Sequence, residues 1–322
     1  MIAPTETAPG IRVVTMGETM GSFSSERAHP LMRGQSLSLS HAGSESNVAV
    51  ALSRLGVTTR WVGCVGDDAV GRMIVRELRA EGVDVQAHVI AGAATATMVK
   101  ERLSPEHWSV GYNRSSSAGS RLSPAHTADA LTPQTELLHV TGITLALGGG
   151  PRRAVLAAIS RARAANVLVS LDVNHRLALW SAESAGAVLR KVLPFVDIVF
   201  ASAHEAQMLC EGSSPSELAE QLGQSGVPEV VLTMGAAGSV AYTPASGLVE
   251  CPARPATVVD PVGAGDAFVA GYLAARLEGE PLTERLALGT ALGHAAVSTA
   301  GDWEGSPSRA QLAATMGDDV SR

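Results

Sequence analysis

Short apolar runs that look like strands alternate with helical patterns along most of the chain. The runs RVVTMG, TRWVGCVG, VLVSLDVN and EVVLTMG fit buried strands, whereas NVAVALSRLG, AVGRMIVRELRAEG and RRAVLAAISRARAAN space their apolar residues as helices do. Such an alternation is typical of right-handed βαβ units. The pattern therefore predicts an α/β fold, with a central, mostly parallel sheet flanked by helices on both faces.

Two stretches, residues 18–42 and 93–118, break this alternation. They are rich in Ser, Thr and Gly with isolated apolar residues, as in TATMVKERLSPEHWSVGYNRSSSAG, and they resemble hairpins more than helices. We predict that they form a small β-sheet lid over the edge of the main sheet where ligands bind, beyond the carboxyl ends of its strands. Residues 1–10 are predicted to be a disordered tail, and residues 11–322 one domain with this lid.

Composition indicates a globular protein with a small-molecule partner. The 322 residues are 46% hydrophobic and 17% charged, and the net charge is −7, with Lys and Arg scattered along the chain. This distribution argues against a nucleic-acid partner or an anionic membrane surface. No apolar run approaches the roughly 20 residues of a membrane span, and the first residues lack the basic and apolar regions of a signal peptide. A cytoplasmic location is therefore expected.

Cysteine and histidine spacing gives no sign of a structural metal. Cys64, Cys210 and Cys251 are far apart and odd in number, which argues against a disulfide scaffold or a zinc site. The nine histidines show no H-E-x-x-H or similar ligand spacing.

The stretch DPVGAGDAFVAGYLAARL, from Asp260 to Leu277, carries the strongest chemical signal. Its apolar residues after Ala264 have helical spacing, so the turn from Gly263 to Asp266 is predicted to begin a helix. Glycines let a ligand approach the backbone closely, and the unpaired N–H groups of a helix start attract anions. The turn is therefore a candidate phosphate site.

Asp266 is the candidate general base of this turn. A carboxylate there could take the proton of a substrate hydroxyl while the N–H groups of Ala264, Gly265 and Asp266 stabilise charge on a transferring phosphoryl group. The alternative is that Asp266 merely complements the helix dipole.

The same stretch resembles the C-terminal signature of ribokinase-like, or PfkB-type, carbohydrate kinases, D-T/P-x-G-A-G-D followed by a small-residue helix, with Val262 where a Thr is common. The resemblance covers nearly the whole chain. HAGSESNVAVALSRLG, from His41 to Gly56, looks like the sugar-binding segment of that family. The resemblance implies a ribokinase-like fold, Asp266 as the base, the turn as an anion hole, and sugar contacts from Gly43, Ser44 and Asn47.

The middle of the chain is similar to 2-keto-3-deoxygluconate kinases. NRSSSAGSRL matches their Y-R-x-x-S-A-G-S-x-L motif with Asn113 in place of the second tyrosine, and DVNHRLALW matches their D-x-N-x-R-x-x-L-W segment, which fructokinases share. By position, the resemblance implies substrate contacts from Tyr112, Arg114, Arg176 and Asp302. Two arginines suit an anionic keto acid, because a guanidinium binds a carboxylate bidentately. The alternative is that both form ordinary ion pairs.

The resemblance also implies a nucleotide site and its cofactors, ATP and Mg²⁺, and leaves a monovalent cation open. LTMGAAGSVAY looks like the family's nucleotide-binding G-x-x-G turn, and the N-x-x-E motif reads Ser-Ala-His-Glu, so its amide is lost. Mg²⁺ would be reached through water or phosphate by Glu205 and Asp260. The alternative is that Glu205 is only a carboxylate at a helix start. The expected nucleotide-binding residues are Ser202, Thr233, Gly235, Gly238, Gly263 and Gly265.

Together these features predict an ATP-dependent kinase that phosphorylates 2-dehydro-3-deoxy-D-gluconate at the 6-position. Its partner would be a small sugar or sugar acid, and the resemblance implies a homo-oligomer formed through the β lid. Fructokinase or another sugar kinase of the family is the nearest alternative. A non-catalytic sugar or nucleotide sensor on the same fold is a second one, since fold alone does not fix function.

Overall fold

The computed structural model describes residues 10–25, 29–104 and 107–318. Residues 1–9 of the predicted tail lie outside this range, so that prediction concerns residues the structure does not describe. Within the described part, no helix is long and apolar enough to cross a membrane. All three cysteines are free thiols.

A nine-stranded sheet forms the centre of the molecule, in the order β13-β12-β11-β10-β9-β8-β1-β4-β5. Neighbouring strands are parallel from β11 to β5, and β12 runs antiparallel to both of its neighbours. The strands are β1 Val13–Met16, β4 Thr59–Gly66, β5 Asp84–Ile90, β8 Leu137–Thr141, β9 Leu168–Asp172, β10 Ile198–Ser202, β11 Glu229–Thr233, β12 Ser239–Thr243 and β13 Gly247–Cys251.

Helices cover both faces of this sheet, which confirms the predicted α/β class. They are α1 Ser44–Arg54, α2 Ala69–Ala80, α3 Gly142–Ala146, α4 Gly149–Ala164, α5 Ala182–Val192, α6 Ala203–Ala206, α7 Pro215–Gln224, α8 Ala264–Leu277, α9 Leu282–Val297 and α10 Arg309–Asp318. Apolar residues of α4, α5 and α7 form one core with the sheet, and those of α1, α8 and α9 form another on the opposite face. These six helices thus bury apolar residues against the strands.

A smaller four-stranded sheet, called here the small sheet, stands beside the main one in the order β3-β2-β6-β7. It consists of β2 Met20–Ser25, β3 Leu37–Ala42, β6 Thr97–Ser104 and β7 His107–Asn113. β2 pairs antiparallel with β3 and parallel with β6, and β6 pairs antiparallel with β7. These strands fall within the two stretches that broke the βαβ pattern.

The strand order of the main sheet reverses at β1, which lies between β4 and β8. At such a switch point, the connections after neighbouring strands leave towards opposite sides and open a crevice beyond the carboxyl ends. The small sheet begins at β2, directly after β1. It therefore lies over the crevice where a ligand is expected.

Candidate active site

A cavity of about 800 Å³ lies in this crevice, between the small sheet and the start of α8. We call it the acceptor cavity. It brings together nine of the residues that the sequence assigned to sugar binding or catalysis. They are Gly43, Ser44, Asn47, Tyr112, Arg114, Arg176, Gly263, Asp266 and Asp302.

The turn before α8 is fixed by its backbone geometry. Gly263 caps the helix in the left-handed region, with φ of 78°. A Cβ at Gly263 would also lie only 1.7 Å from the carbonyl oxygen of Asp302. Both the backbone angle and the lack of space require glycine. The first N–H groups of α8 have no partners within the helix, as helix geometry dictates.

Asp266, in the first turn of α8, is buried and held from two sides. Its Oδ1 accepts a hydrogen bond from the Ser44 hydroxyl at 2.6 Å, and its Oδ2 accepts one from the Asn47 amide at 2.7 Å. Burial raises the pKa of Asp266 above its ordinary value, while these two hydrogen bonds oppose the rise. The side chains of Ser44 and Asn47 thus orient the carboxylate, a role that the resemblance did not assign to them.

A second layer of polar groups supports this arrangement from β9. The amide nitrogen of Asn174 donates to the Ser44 hydroxyl at 2.8 Å and to Asp172 at 3.1 Å. Asn174 adopts φ of 38°, a left-handed conformation that asparagine tolerates better than most residues. Burial, followed by the charges of Glu205 and Asp266, raises the pKa of Asp172 well above its ordinary value.

Glu45 is a buried carboxyl group behind the site that the sequence analysis did not single out. Its Oε1 accepts hydrogen bonds from the hydroxyls of Thr141 at 2.7 Å and Thr144 at 2.5 Å. Burial raises the pKa of Glu45 to about 7. Asp172, Asn174 and Glu45 all lie at strand ends or helix starts around the crevice, and that position is the signal that could have identified them.

The two arginines predicted to bind substrate have different surroundings. The Nε of Arg114 donates to Glu18 Oε2 at 2.9 Å, and its Nη2 lies 2.7 Å from the same oxygen. Glu18 is buried and also accepts a hydrogen bond from Ser117. Arg176 is exposed, and its charge lowers the pKa values of Asp172 and Asp266. Arg176 therefore presents its charge to the cavity, whereas a carboxylate faces that of Arg114.

Asp260 and Asp302 share one ammonium group. The Nζ of Lys100, on β6, lies 2.7 Å from Asp260 Oδ2 and 2.7 Å from Asp302 Oδ1. All three side chains are at most 6% exposed. Asp260 therefore does not offer a free carboxylate to a metal ion. Asp302 lines the acceptor cavity, but one of its oxygens is occupied.

A second cavity of about 650 Å³ lies on the other side of the start of α8, and its walls are mostly apolar. We call it the nucleotide cavity. It brings together four of the six residues assigned to nucleotide binding. Its lining includes Thr233, Gly235, Gly238, Gly265, Pro255, Val258, Phe268 and Val297.

The two glycines of the G-x-x-G turn shape this cavity. Gly235 has φ of 57°, and Gly238 has φ of 105°. A Cβ at Gly238 would lie 2.2 Å from the carbonyl oxygen of Cys251, whereas one at Gly235 would meet nothing. Gly238 is therefore fixed both by its conformation and by the approach of β13.

Ser202 and Glu205 form a helix cap. The Ser202 hydroxyl accepts from the N–H of Glu205, and Glu205 Oε2 accepts from the N–H of Ser202 at 2.7 Å, which makes a capping box for α6. Glu205 Oε1 accepts from the N–H of His175 at 2.6 Å. Ser202 is not among the residues lining the nucleotide cavity. Among the described residues, no three His, Cys, Asp or Glu are arranged to hold a metal ion.

Known proteins are similar to this chain in sequence and in fold. A 2-dehydro-3-deoxygluconokinase of Bacillus subtilis is 32% identical over 309 residues, 94% of each chain. A 2-dehydro-3-deoxygalactonokinase of Haloferax volcanii is 31% identical over 282 residues, 87% of this chain and 88% of that one. A putative Ribokinase II from E. coli in complex with ATP and Mg²⁺ has a TM-score of 0.85 at 24% identity, covering 95% and 99%, which shows a shared fold.

The family model described as pfkB family carbohydrate kinase matches residues 11–309. That range includes both cavities and the turn between them. The chain belongs to the pfkB family and is a carbohydrate kinase.

Proposed function

We propose that this kinase transfers the γ-phosphoryl group of ATP to the 6-hydroxyl of 2-dehydro-3-deoxy-D-gluconate. The observation that carries the proposal is the meeting of two cavities at the first turn of α8. Asp266 lines the acceptor cavity, and Gly265 lines the nucleotide cavity. A phosphoryl group that moved between two substrates bound there would pass this turn.

Asp266 is the proposed general base. As the substrate oxygen forms its bond to the γ-phosphorus and the bond to the β-phosphate oxygen breaks, Asp266 takes the hydroxyl proton and ADP leaves. The raised pKa of Asp266 lies closer to neutral pH than that of an ordinary aspartate, and a general base is most effective when its pKa is near the working pH. Ser44 and Asn47 each engage one carboxylate oxygen, and each oxygen retains capacity to accept a proton.

The backbone of the turn is the proposed anion hole. The N–H groups of Ala264, Gly265 and Asp266 are the first of α8, so they have no partners within the helix. Donors fixed in this way stabilise charge on the transferring phosphoryl group without having to reorganise. The turn that carries these N–H groups contributes Asp266 to the acceptor cavity and Gly265 to the nucleotide cavity.

Mg²⁺ bound with ATP would neutralise charge on its phosphates. Glu205 is the carboxylate proposed to reach the ion through water, because both of its oxygens already accept backbone hydrogen bonds. Mg²⁺ commonly keeps several waters and takes few protein carboxylates. Its charge would also relieve the repulsion between Glu205 and Asp172, which raises the pKa of Asp172.

The carboxylate of the proposed substrate suits Arg176, whose guanidinium is exposed at the acceptor cavity. A planar guanidinium can bind a carboxylate through two hydrogen bonds. The relatives named above act on sugar acids of the same type, by their names. These facts support an anionic acceptor and leave the gluconate and galactonate epimers to be separated by assay.

A neutral sugar, such as fructose, is the second candidate. It is favoured by the ion pair between Arg114 and Glu18, because that pair removes one of the two positive charges expected to bind a carboxylate. One unpaired arginine supports an acidic substrate less strongly than two would.

The deciding experiment is steady-state turnover with ATP and Mg²⁺ on 2-dehydro-3-deoxygluconate, its galactonate epimer, fructose and ribose, comparing kcat/KM. A wide margin for the keto acids supports the proposal. A higher kcat/KM for fructose or ribose would show that the proposed substrate is wrong and would leave Asp266 as the candidate base. Absence of turnover on all four would contradict the proposal.

A further inference from the structure

Lys100 is a buried cation that neither the motifs nor the proposed reaction accounts for. It lies on β6 of the small sheet with about 2% of its side chain exposed. Its ammonium group bridges Asp260 and Asp302, 160 and 202 residues away in sequence. Its Nζ also lies over the ring of Trp108, 5.5 Å from the ring centroid. Burying a lysine is costly unless its charge is paired, so its position needs a reason.

Both carboxylates belong to segments that shape the turn before α8. Asp260 lies three residues before Gly263, and its Oδ1 accepts from the N–H of Val262 at 3.1 Å. The backbone of Asp302 fills the space beside Gly263, where a Cβ would be 1.7 Å from its carbonyl oxygen. Any shift of Asp302 or Asp260 would therefore move the turn.

The charges in this cluster depend on one another. Burial raises the pKa of Asp302 to about 6, and the nearby Lys100 opposes that rise. Without the ammonium group, two carboxylates would be buried side by side, which strongly destabilises a site. The cluster therefore holds together only while β6 is docked against the turn.

We propose that Lys100 is a positioning residue that couples closure of the small sheet over the acceptor cavity to alignment of the Gly263–Asp266 turn. The inference rests on the proposed role of that turn as the anion hole. Lys100 does not act on the substrate directly, because its side chain is almost wholly buried and both carboxylates occupy its ammonium group. It acts through the two segments that hold the turn.

The test compares Lys100→Met and Lys100→Arg with Arg102→Met. Arg102 is a matched control because it is a cation on the same strand that also lies over Trp108, with its guanidinium 5.3 Å from the ring centroid. We expect Lys100→Met to lower kcat by about ten- to hundredfold, as small misplacements of reacting groups do, and to change either KM by less than about threefold. Lys100→Arg should recover part of the loss, and Arg102→Met should match the native protein.

Hydrogen exchange provides a readout that a purely structural role would not move. In the native protein, a non-hydrolysable ATP analogue together with the sugar should protect residues 97–104 and 259–268 jointly. In Lys100→Met, the same ligands should protect the turn without protecting β6. Joint protection in the variant would overturn the proposal.

A charge-balanced variant covers the case in which Lys100→Met does not fold. Lys100→Met with Asp260→Asn removes one positive and one negative charge, so the cluster keeps its net charge. The proposal expects kcat to stay low because the tie to β6 is gone. Recovery of kcat in the double variant would show that Lys100 only neutralises charge. A rise in sugar KM with native kcat would show direct substrate contact, and either result would overturn the proposal.

Asp266→Asn separates this inference from the proposed function. Native turnover in Asp266→Asn would refute the assigned base whatever Lys100 does. Loss of turnover there, with native kcat and joint protection in Lys100→Met, would refute the coupling alone.

Discussion

The two cavities that meet at α8 are lined by different kinds of residue. The acceptor cavity is lined by apolar and charged side chains from the small sheet and from loops and helix starts beside the main sheet, and the charged ones include Glu18, Arg114 and Arg176. The nucleotide cavity is lined mostly by apolar side chains and by the glycines of a turn, Gly235 and Gly238. One side is defined by charge, and the other by the shape of the backbone.

This difference indicates where specificity lies. Charged side chains can distinguish an acid from a neutral sugar, because an unpaired buried charge is costly. An apolar cleft with glycine turns can accept the base and phosphates of a nucleotide by its shape and by backbone N–H groups. Substitutions on one side should therefore change the kinetic constants of one substrate and spare those of the other.

The largest expected effect comes from Asp266→Asn. Removing the proposed base should lower kcat by about a thousandfold, within the range of general base catalysis. ATP affinity, measured by calorimetry, should stay within about threefold because the side chain faces the acceptor cavity. Asp129→Asn, at an exposed position, is the control. Near-native turnover in Asp266→Asn would rule out its role as base.

Arg176→Gln should have the second-largest effect on the kinetic constants. If the exposed guanidinium binds the substrate carboxylate, KM for the keto acid should rise about ten- to hundredfold, the loss expected for hydrogen bonds between charged groups. The kcat/KM for fructose should change little. Arg153→Gln, on the exposed side of α4, is the control. Equal losses for both substrates would contradict a carboxylate-specific role.

Gly238→Ala tests the other cavity. The Cβ of the new alanine would lie 2.2 Å from the carbonyl oxygen of Cys251, and the alanine would have to adopt a left-handed backbone conformation. KM for ATP should rise about tenfold, since left-handed strain alone costs roughly 1–2 kcal/mol, while KM for the sugar is unchanged. Gly247→Ala carries the same type of strain, with φ of 67°, in open space. If both variants bind ATP equally well, the shape of this turn does not govern the nucleotide site.

The smallest effect on turnover is expected from Glu45→Gln, which instead changes how stability depends on pH. The pKa of Glu45 is raised by burial from 4.5 to about 7. Below pH 4.5 the group is protonated whether the chain is folded or not. As pH rises from 4.5 to 7, ionisation favours the unfolded chain, so this group should remove about 3 kcal/mol of stability.

Urea unfolding at several pH values measures that dependence. Glu45→Gln should be less sensitive to pH between 4.5 and 7 than the native protein, whereas Glu183→Gln, at an exposed position, should keep the native dependence. An unchanged profile in Glu45→Gln would show that burial does not raise the pKa of Glu45 in the folded protein.

The sequence was sufficient for features that depend on local pattern. The strand and helix alternation predicted the α/β fold, and the small-residue turn placed the start of α8 at Ala264. The sequence could not predict side-chain contacts between residues that are far apart in the chain. Glu18 lies 96 residues before Arg114, and no spacing rule connects them. Lys100 belongs to no recognised motif, and its partners Asp260 and Asp302 lie 160 and 202 residues away in sequence.

Ser44 and Asn47 illustrate a third case. The resemblance assigned them to the sugar, and both line the acceptor cavity. In the structure their side chains also hold Asp266, more than 200 residues later in the chain. Sequence reasoning assigned both residues to the sugar, a prediction that stands, but it could not show that their side chains face Asp266.

The ion pair between Glu18 and Arg114 bears on how relatives of this protein diverge. An arginine in a motif contributes a usable positive charge only if the fold does not supply a counter-ion, and here Glu18 supplies one from β1's exit loop. Gain or loss of an acid at position 18 could therefore change the charge preferred in a substrate while every motif residue stays the same. Homologues with identical signatures can differ in chemistry for that reason.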